Sequence, residues 1–297
     1  MPGREVGIVP GGSSALRPDR FGENVEAGVN GQKRLPERGT RRASFIACLH
    51  LLPLPGSPGW GGSMKPVMER ALHEAGIFAS SGADGMILEN THDVPYLKRP
   101  SEASTIAAMS LVAGEVRRRF ETPLGIQVLA GANEAALDIA VACDLDFIRV
   151  EGFAYAHVAD EGLIEADAGR LLRRRAHLGA RHIEVWADVK KKHASHAITA
   201  DLSLRDIAEG ATYYGADGVI VTGSMTGRPA SREELESIAD LPVRRIVGSG
   251  IDARNIKDFA RLADVLIVGS ALKHGGDWRG EVDPARVAEL TGILRTL

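Results

Sequence analysis

From residue 44 onward, short continuous apolar runs alternate with longer stretches in which apolar residues recur at helical spacing. Continuous apolar strands that alternate with amphipathic helices are typical of a parallel sheet covered by helices on both faces. The pattern predicts helices over residues 64–80, 101–120, 133–142 and 202–214, among others, with Asn133 as the N-cap of the third. It predicts eight strands, at residues 45–49, 86–88, 124–129, 147–150, 183–187, 218–222, 245–247 and 265–268.

A short sequence motif that repeats within the chain supports a closed barrel. The sequence Gly-Ala-Asp-Gly occurs at residues 82–85 and again at 215–218, each time between a helix and a strand, and a related small-residue–Asp pattern precedes the strands at Asp146 and Asp264. Eight repeated units favour an α/β fold of the (β/α)₈ TIM-barrel type. An open Rossmann-like sheet is the alternative, but no G-x-G-x-x-G motif follows the first strand.

The first 43 residues have a different character. They are rich in Gly, Arg, Pro, Asn and Glu and show no sustained helical or strand period. We therefore predict a disordered N-terminal extension over residues 1–43 and a barrel domain over residues 44–297. The segment has no apolar core of a secretory signal, and its acidic residues argue against a mitochondrial presequence. A regulatory tail and an over-extended start site both remain open.

Composition narrows the class of protein. The chain has 297 residues, of which 44% are hydrophobic and 25% charged, and a formal net charge of −3. Mild acidity gives no reason to expect nucleic acid or an anionic membrane as the main partner. No apolar stretch approaches the roughly 18 to 20 residues that span a bilayer. Cys48 and Cys143 lie in apolar runs, so we expect buried, reduced thiols in a cytoplasmic protein.

Two segments near the C-terminus predict a phosphate site. Residues 245–251 and 265–273 each form a β-branched apolar run that ends in a Gly-Ser turn. Glycines let the backbone approach an anion, and phosphate sites after strands 7 and 8 are common in (β/α)₈ enzymes. Either segment alone is more simply an ordinary strand and turn; together they favour phosphate binding. We expect backbone contacts from Gly248, Ser249, Gly250, Gly269 and Ser270, with Lys273 or Arg254 as charge partners.

Chemistry in such barrels is expected at the carboxyl ends of the strands. The candidate catalytic residues there are Glu89, Asp188, His50 and Lys190, and the candidate substrate-binding residues are Asn90, Gln127, Arg149, Glu151 and Thr222. Simpler structural interpretations stand beside these: His50 as a strand cap, Arg149 and Glu151 as an internal ion pair, the lysines as a solvated loop. Glu89 and Asp188, with His50, could hold Mg²⁺ or divide general acid and base work; both interpretations stay open.

These motifs together resemble the BtpA family. The resemblance rests on residues 50–58, Glu89–Asn90, residues 147–152, 188–190 and 221–223, and both Gly-Ser turns, and it extends over residues 44–297. It implies a phosphate-binding TIM barrel. It also implies a role in photosystem I biogenesis for some members, and soluble sugar-phosphate enzymes of unsettled reaction for others.

The residues favour an enzyme acting on a small phosphorylated metabolite such as a sugar phosphate. Proton abstraction beside a carbonyl would give isomerase, epimerase or lyase chemistry. N-glycosidic bond hydrolysis is a second possibility, because carboxylates stabilise an oxocarbenium-like centre. The family resemblance implies a third hypothesis, a non-catalytic biogenesis factor for a membrane complex. We expect a homo-oligomer, and the loop at residues 51–60 is interpreted as a lid, an interface or a rigid cover over the barrel.

Overall fold

The computed structural model describes residues 35–36, 38–39, 42–99, 101–191, 193–223 and 230–297. The predicted disordered extension at residues 1–43 lies for the most part outside these residues. Within them, the predicted α/β barrel is confirmed.

Eight parallel strands close into a barrel in chain order. Hydrogen bonds between the last of these strands and the first complete the ring. The barrel strands are β1 Ser44–His50, β2 Gly85–Glu89, β3 Leu124–Gln127, β4 Phe147–Val150, β7 Glu184–Val189, β9 Gly218–Val221, β10 Arg244–Val247 and β11 Val265–Val268. The helices are α1 Met64–Ser81, α2 Ala103–Arg119, α3 Asn133–Ala142, α4 Ala168–His177, α5 Leu204–Tyr213, α6 Arg232–Ser237, α7 Ile256–Phe259 and α8 Pro284–Leu294.

The barrel interior changes from apolar to polar along its length. Alternate strand residues point inward. The middle of the interior is an apolar cluster that includes Ile46, Ile87, Phe147, Trp186, Ile220, Ile246 and Ile267. On β3, the inward position at this level is Gly125. Two residues further along each strand, the inward positions form a mostly polar ring of Cys48, Glu89, Gln127, Arg149, Asp188, Thr222, Gly248 and Gly269. This polar ring is the floor of the carboxyl-terminal end of the barrel.

Packing in the apolar middle explains the glycine on β3. Phe147 and Trp186 stack with their ring centroids 3.7 Å apart. A Cβ atom on Gly125 would overlap the ring of Phe147. The missing side chain on β3 therefore makes room for the aromatic pair contributed by β4 and β7.

The repeated sequence motif corresponds to a structural repeat at the amino-terminal ends of the barrel strands. An aspartate just before every second barrel strand accepts a hydrogen bond from a backbone N–H at the start of the preceding barrel strand. The four bonds are Phe45 N to Asp84 at 2.8 Å, Leu124 N to Asp146 at 2.7 Å, Val185 N to Asp217 at 2.8 Å and Arg245 N to Asp264 at 2.8 Å. Each aspartate also pairs with an arginine: Arg42, Arg117, Arg175 and Arg245 respectively. The repeat thus ties the strands together in four pairs.

A small antiparallel sheet is a feature of the fold that the sequence pattern does not predict. It consists of β5 His157–Ala159, β6 Gly162–Ile164 and β8 Ala194–Ser195, in the order β6–β5–β8. These strands follow β4 and β7 in the chain, so the sheet belongs to the loops at the carboxyl end of the barrel. Pairing of β5 with β8 fixes the start of the loop after β7.

The structure also tests the predictions on a helix N-cap, the two cysteines and membrane-spanning helices. The predicted N-cap at Asn133 is wrong: α3 begins at Asn133 with Ala132 as its N-cap, and the Asn133 side chain hydrogen-bonds elsewhere. Neither Cys48 nor Cys143 is in a disulfide; Cys48 is buried, as expected, whereas Cys143 is only half-buried. Among the described residues, every helix is too short or too polar to cross a membrane.

Candidate active site

A cavity of about 340 Å³ opens at the carboxyl ends of the strands. It lies directly above the polar ring, where a (β/α)₈ barrel carries its chemistry. Ten of the predicted site residues line it: His50, Glu89, Gln127, Arg149, Glu151, Gly248, Ser249, Gly250, Gly269 and Ser270. Four others, Asn90, Asp188, Lys190 and Thr222, are not among its lining residues.

The two Gly-Ser turns form one wall of this cavity. Gly250 has a φ of 74°, a left-handed conformation that glycine adopts without strain. The turn is held from both sides, because Ser249 Oγ accepts a hydrogen bond from Gly223 N (3.1 Å) and Gly250 O accepts one from Asn255 Nδ2 (2.7 Å). The strand pattern therefore places both turns correctly, side by side at the ends of β10 and β11.

Neither of the two possible charge partners lines the cavity. Lys273 is fully buried away from the cavity, and its Nζ donates to both carboxylate oxygens of Glu74 on α1 (3.0 and 2.8 Å). The short turn at Ser270–Leu272 redirects the chain, so Lys273 faces α1 instead of the anion site. Arg254 is exposed and pairs with Asp252.

Arg149 is the centre of a buried ion-pair network. Its Nε and Nη2 donate to the two carboxylate oxygens of Asp188 (2.9 and 3.0 Å), and its Nη1 donates to Glu89 (3.3 Å). Burial alone would lower the pKa of Arg149, but the two carboxylates outweigh it and hold that pKa above its ordinary value. Asp188, whose side chain is only 1% exposed, is thus committed to Arg149. The internal ion pair expected of Arg149 exists, with Asp188 and Glu89 as partners and not Glu151.

Glu151 forms a second polar group on the wall opposite the turns. Its two carboxylate oxygens accept hydrogen bonds from Gln127 Nε2 (3.0 Å) and Lys191 Nζ (2.8 Å). Asn133 holds the Glu151 backbone on both sides, donating to its carbonyl (2.8 Å) and accepting from its N–H (3.2 Å). Burial raises the pKa of Glu151 above its ordinary value. The Asn133 side chain therefore positions this carboxylate.

Lys191, and not the predicted Lys190, is the lysine of the cavity. Burial disfavours its charge, yet the Glu151 carboxylate outweighs this effect and the pKa of Lys191 is raised. Lys190 has a φ of 49° and lies beside a smaller pocket with His196 and Tyr155. The left-handed backbone of Lys190 interrupts the inward–outward alternation of side chains directly after β7. The alternation along the strand therefore does not identify which lysine points into the cavity.

The remaining two predicted binding residues support the rim and floor. Asn90 Oδ1 accepts from Leu129 N (2.8 Å), and its Nδ2 donates to Asp93, which in turn accepts from Leu54 N (2.7 Å). These bonds and the burial of Leu54 favour the rigid-cover interpretation of the loop at residues 51–60. Thr222 is buried next to Gly248, in the polar ring.

Aromatic and apolar side chains complete the cavity, and the sequence analysis missed them. The additional lining residues include Val94, Tyr96, Leu129, Ile251 and Trp278. The Trp278 carbonyl accepts a hydrogen bond from His50 Nδ1 (3.3 Å). Tyr96 follows Glu89 by seven residues, and Trp278 lies in the glycine-rich segment after β11. Neither belongs to a periodic element, so no pattern signals its position.

The possible Mg²⁺ ligands Glu89 and Asp188 are bridged by Arg149. Both oxygens of Asp188 face Arg149, so this carboxylate is not directed at an ion shared with Glu89. A different trio converges instead: one ligand atom each from Cys48, His50 and Glu89, all within 4.8 Å of one another.

Comparison with known proteins identifies relatives that match most of the chain. The BtpA family matches residues 41–295. A mitochondrial protein of Caenorhabditis elegans described as uncharacterized is 40% identical over 264 residues, covering 86% of this chain and 94% of the relative. A Synechocystis protein named photosystem I biogenesis protein BtpA is 38% identical over 249 residues, covering 82% and 85%.

Solved structures with similar folds are more distant in sequence. Phosphoribosyl anthranilate isomerase from Thermotoga maritima has a TM-score of 0.54 at 12% identity, covering 86% of this chain and all of that one (100%). Thiamine phosphate pyrophosphorylase from Pyrococcus furiosus has a TM-score of 0.52 at 12% identity, covering 86% and 96%. At this identity the likeness concerns the fold.

Proposed function

The chain belongs to the BtpA family, and on that premise we propose that it is an enzyme acting on a small phosphorylated metabolite, such as a sugar phosphate. One observation carries the proposal: a single cavity has two glycine turns on one wall and buried titratable groups on the other. In glycine turns, no side chain keeps an anion away from the backbone, so the backbone N–H groups can approach a phosphate. Glu89, Glu151 and Lys191 lie where the rest of the substrate would be.

The reaction class we favour is proton transfer next to a carbonyl, as in an isomerase, an epimerase or a lyase. Glu151 is the proton acceptor, because a carboxylate whose pKa is raised towards neutrality is a better base than an ordinary one. Lys191, which donates to Glu151, carries positive charge into the cavity and would stabilise the enolate that forms. In an isomerisation or epimerisation, the abstracted proton returns to carbon and Glu151 regains its carboxylate form.

The fold neighbours agree with a phosphorylated substrate, since the names of two of them specify a phosphoribosyl compound and a thiamine phosphate. A second candidate function is suggested by the name of the Synechocystis relative, a photosystem I biogenesis protein. Under that reading the protein assists assembly of a membrane complex without catalysis.

A thermal-shift screen tests the proposal. Sugar phosphates, nucleotides and inorganic phosphate are added to the wild type in EDTA, in Mg²⁺ and in Zn²⁺; the nucleotides probe the N-glycosidic alternative. Ser270→Asp puts a negative charge on the anion wall and should abolish any stabilisation by phosphorylated compounds. Ser63→Asp is the matched control, because Ser63 is the N-cap of α1, where Asp is an equally good cap.

The outcomes separate the two functions. Stabilisation of the wild type and of Ser63→Asp, lost in Ser270→Asp, supports phosphate recognition at the turns. A complete lack of stabilisation in all three buffers contradicts it and favours the assembly role.

A further inference from the structure

Three different metal-ligating side chains meet in the cavity, next to the phosphate wall. Cys48 and His50 are alternate residues of β1 and therefore share its inner face. Glu89 on β2 is the direct neighbour of His50 in the parallel pairing. All three residues are buried, and all three line the cavity.

The spacing of the three ligand atoms suits a small ion. Their separations of at most 4.8 Å compare with about 3.3 to 3.8 Å between ligands around tetrahedral zinc, taking bond lengths of about 2.0 to 2.3 Å. Shifts of about an ångström or less in the side chains would close the site. The cavity supplies the open position that distinguishes a catalytic from a structural metal centre.

His50 is oriented in the way that metal-ligating histidines usually are. Because a carbonyl can only accept, Nδ1 carries the proton of its bond to the Trp278 carbonyl, and the neutral ring then has its lone pair on Nε2. Glycine at position 269 leaves the space beside that nitrogen, since a Cβ there would lie 2.9 Å from Nε2. Glu89 is likewise held by Arg149.

The charge balance around the site favours a cation. Among the described residues of the buried network, two cations, Arg149 and Lys191, contact four carboxylates: Glu89, Asp188, Glu151 and Glu161. The carboxylates of Glu89, Glu151 and Glu161 contribute to the raised pKa of nearby Tyr96, beyond the larger effect of burial. Buried uncompensated charge is expensive, and a divalent ion would offset it.

We infer that Cys48, His50 and Glu89 form a binding site for a divalent transition-metal ion of the zinc type. A thiolate, an imidazole and a carboxylate together suit Zn²⁺ and similar ions, whereas Mg²⁺ prefers oxygen ligands alone. The ion would lie beside Gly269, where it can interact with a bound phosphate or a substrate oxygen. The site itself does not depend on the phosphate proposal.

Metal binding to tag-free, EDTA-treated and dialysed protein tests this inference without any substrate. Zn²⁺ is titrated against a chromophoric chelator, and Co²⁺ is added separately to record the thiolate-to-metal charge-transfer band. We expect one ion per chain, a charge-transfer band, and no competition from Mg²⁺. Cys48→Ser should remove the band and weaken Zn²⁺ by more than the 10–100-fold typical of losing an outer-sphere contact.

Cys143→Ser is the matched control, because Cys143 is the other cysteine of the chain and does not line the cavity. It should keep both the stoichiometry and the band. Circular dichroism establishes that each variant is folded, and Glu89→Gln gives a second ligand variant if Cys48→Ser is not. Absence of tight Zn²⁺ binding to the wild type, or equal binding by the Cys48→Ser and Cys143→Ser proteins, would overturn the inference. Failure of phosphate recognition leaves these readouts unchanged.

Discussion

Arg149 is the residue that makes a polar barrel end compatible with folding. It spans Asp188 and Glu89, two carboxylates that would otherwise repel each other in a buried place. The alternation of side chains along β4 places Arg149 on the inner face of the barrel, but it does not identify the carboxylate with which Arg149 forms an ion pair. Glu151 is nearer in sequence. Asp188 lies on the adjacent strand β7, two residues after Trp186, the register partner of Arg149, so long-range register decides the ion pair.

Replacing Arg149 by Met should destabilise the protein by about 3–5 kcal/mol, because it leaves two buried carboxylates without their cation. The free energy of unfolding in urea measures this. Arg118→Met is the comparison, since Arg118 forms an exposed pair with Glu115 within helix α2 and its replacement should change little. A similar free energy of unfolding in both variants would mean that the Arg149 network contributes nothing special.

The two adjacent lysines give a second test at this scale. Lys191 lowers the pKa of Glu151 against the larger effect of burial, so Lys191→Met should raise that pKa further above 4.5. The carboxylate form would then be lost at a higher pH as the solution is acidified. Carboxyl carbon chemical shifts followed by NMR through a pH titration, with Glu151→Gln for assignment, report the midpoint.

Lys190→Met is the control for this titration, because Lys190 has no contact with Glu151 among the described hydrogen bonds and ion pairs. Its midpoint should match that of the wild type. A shift in Lys190→Met with none in Lys191→Met would reverse our assignment. The lysine run could be recognised from the sequence, but the left-handed turn at Lys190 that selects the second lysine could not.

At the scale of elements, the sequence pattern carries most of the fold. The eight barrel strands are four to seven residues long and lie in segments rich in apolar residues, which is why their positions are predictable. The antiparallel sheet is not, because its strands are two or three residues long and β5 pairs with β8 across a whole helix and barrel strand. The repeated aspartates are visible in the sequence, yet their non-local acceptor role is not.

Removing one of these aspartates should lower stability without affecting the cavity. Asp264 accepts from Arg245 N at the start of β10, so Asp264→Ala leaves a buried N–H without its partner. We expect a loss of about 1–3 kcal/mol in the free energy of unfolding. Asp264→Asn keeps an acceptor oxygen and should lose less. Equal losses in the two variants, or altered ligand binding in a folded Asp264→Asn protein, would contradict this structural role.

At the scale of the whole molecule, the two ends of the barrel differ, with a structural repeat at one end and the candidate site at the other. The aspartate repeat ties strand pairs at the amino-terminal end, and the polar ring, the cavity and the glycine turns occupy the other. This division is the usual one in (β/α)₈ barrels. It explains why the site was partly predictable: residues on strand ends follow from the count of strands, whereas Tyr96, Trp278 and Lys191 come from loops whose course depends on tertiary contacts.

The central claim is that the glycine turns at the ends of β10 and β11 hold the phosphate of a small ligand. Backbone amide chemical shifts of the ¹⁵N-labelled protein, recorded during titration with ribose 5-phosphate and separately with inorganic phosphate, test it most directly. We predict that the largest shifts fall on residues 248–250 and 269–270 with both ligands, and that they disappear in Ser270→Asp. Shifts confined to the arginine-rich helix ends at residues 117–119 and 173–175, or no shifts at all, would contradict the account.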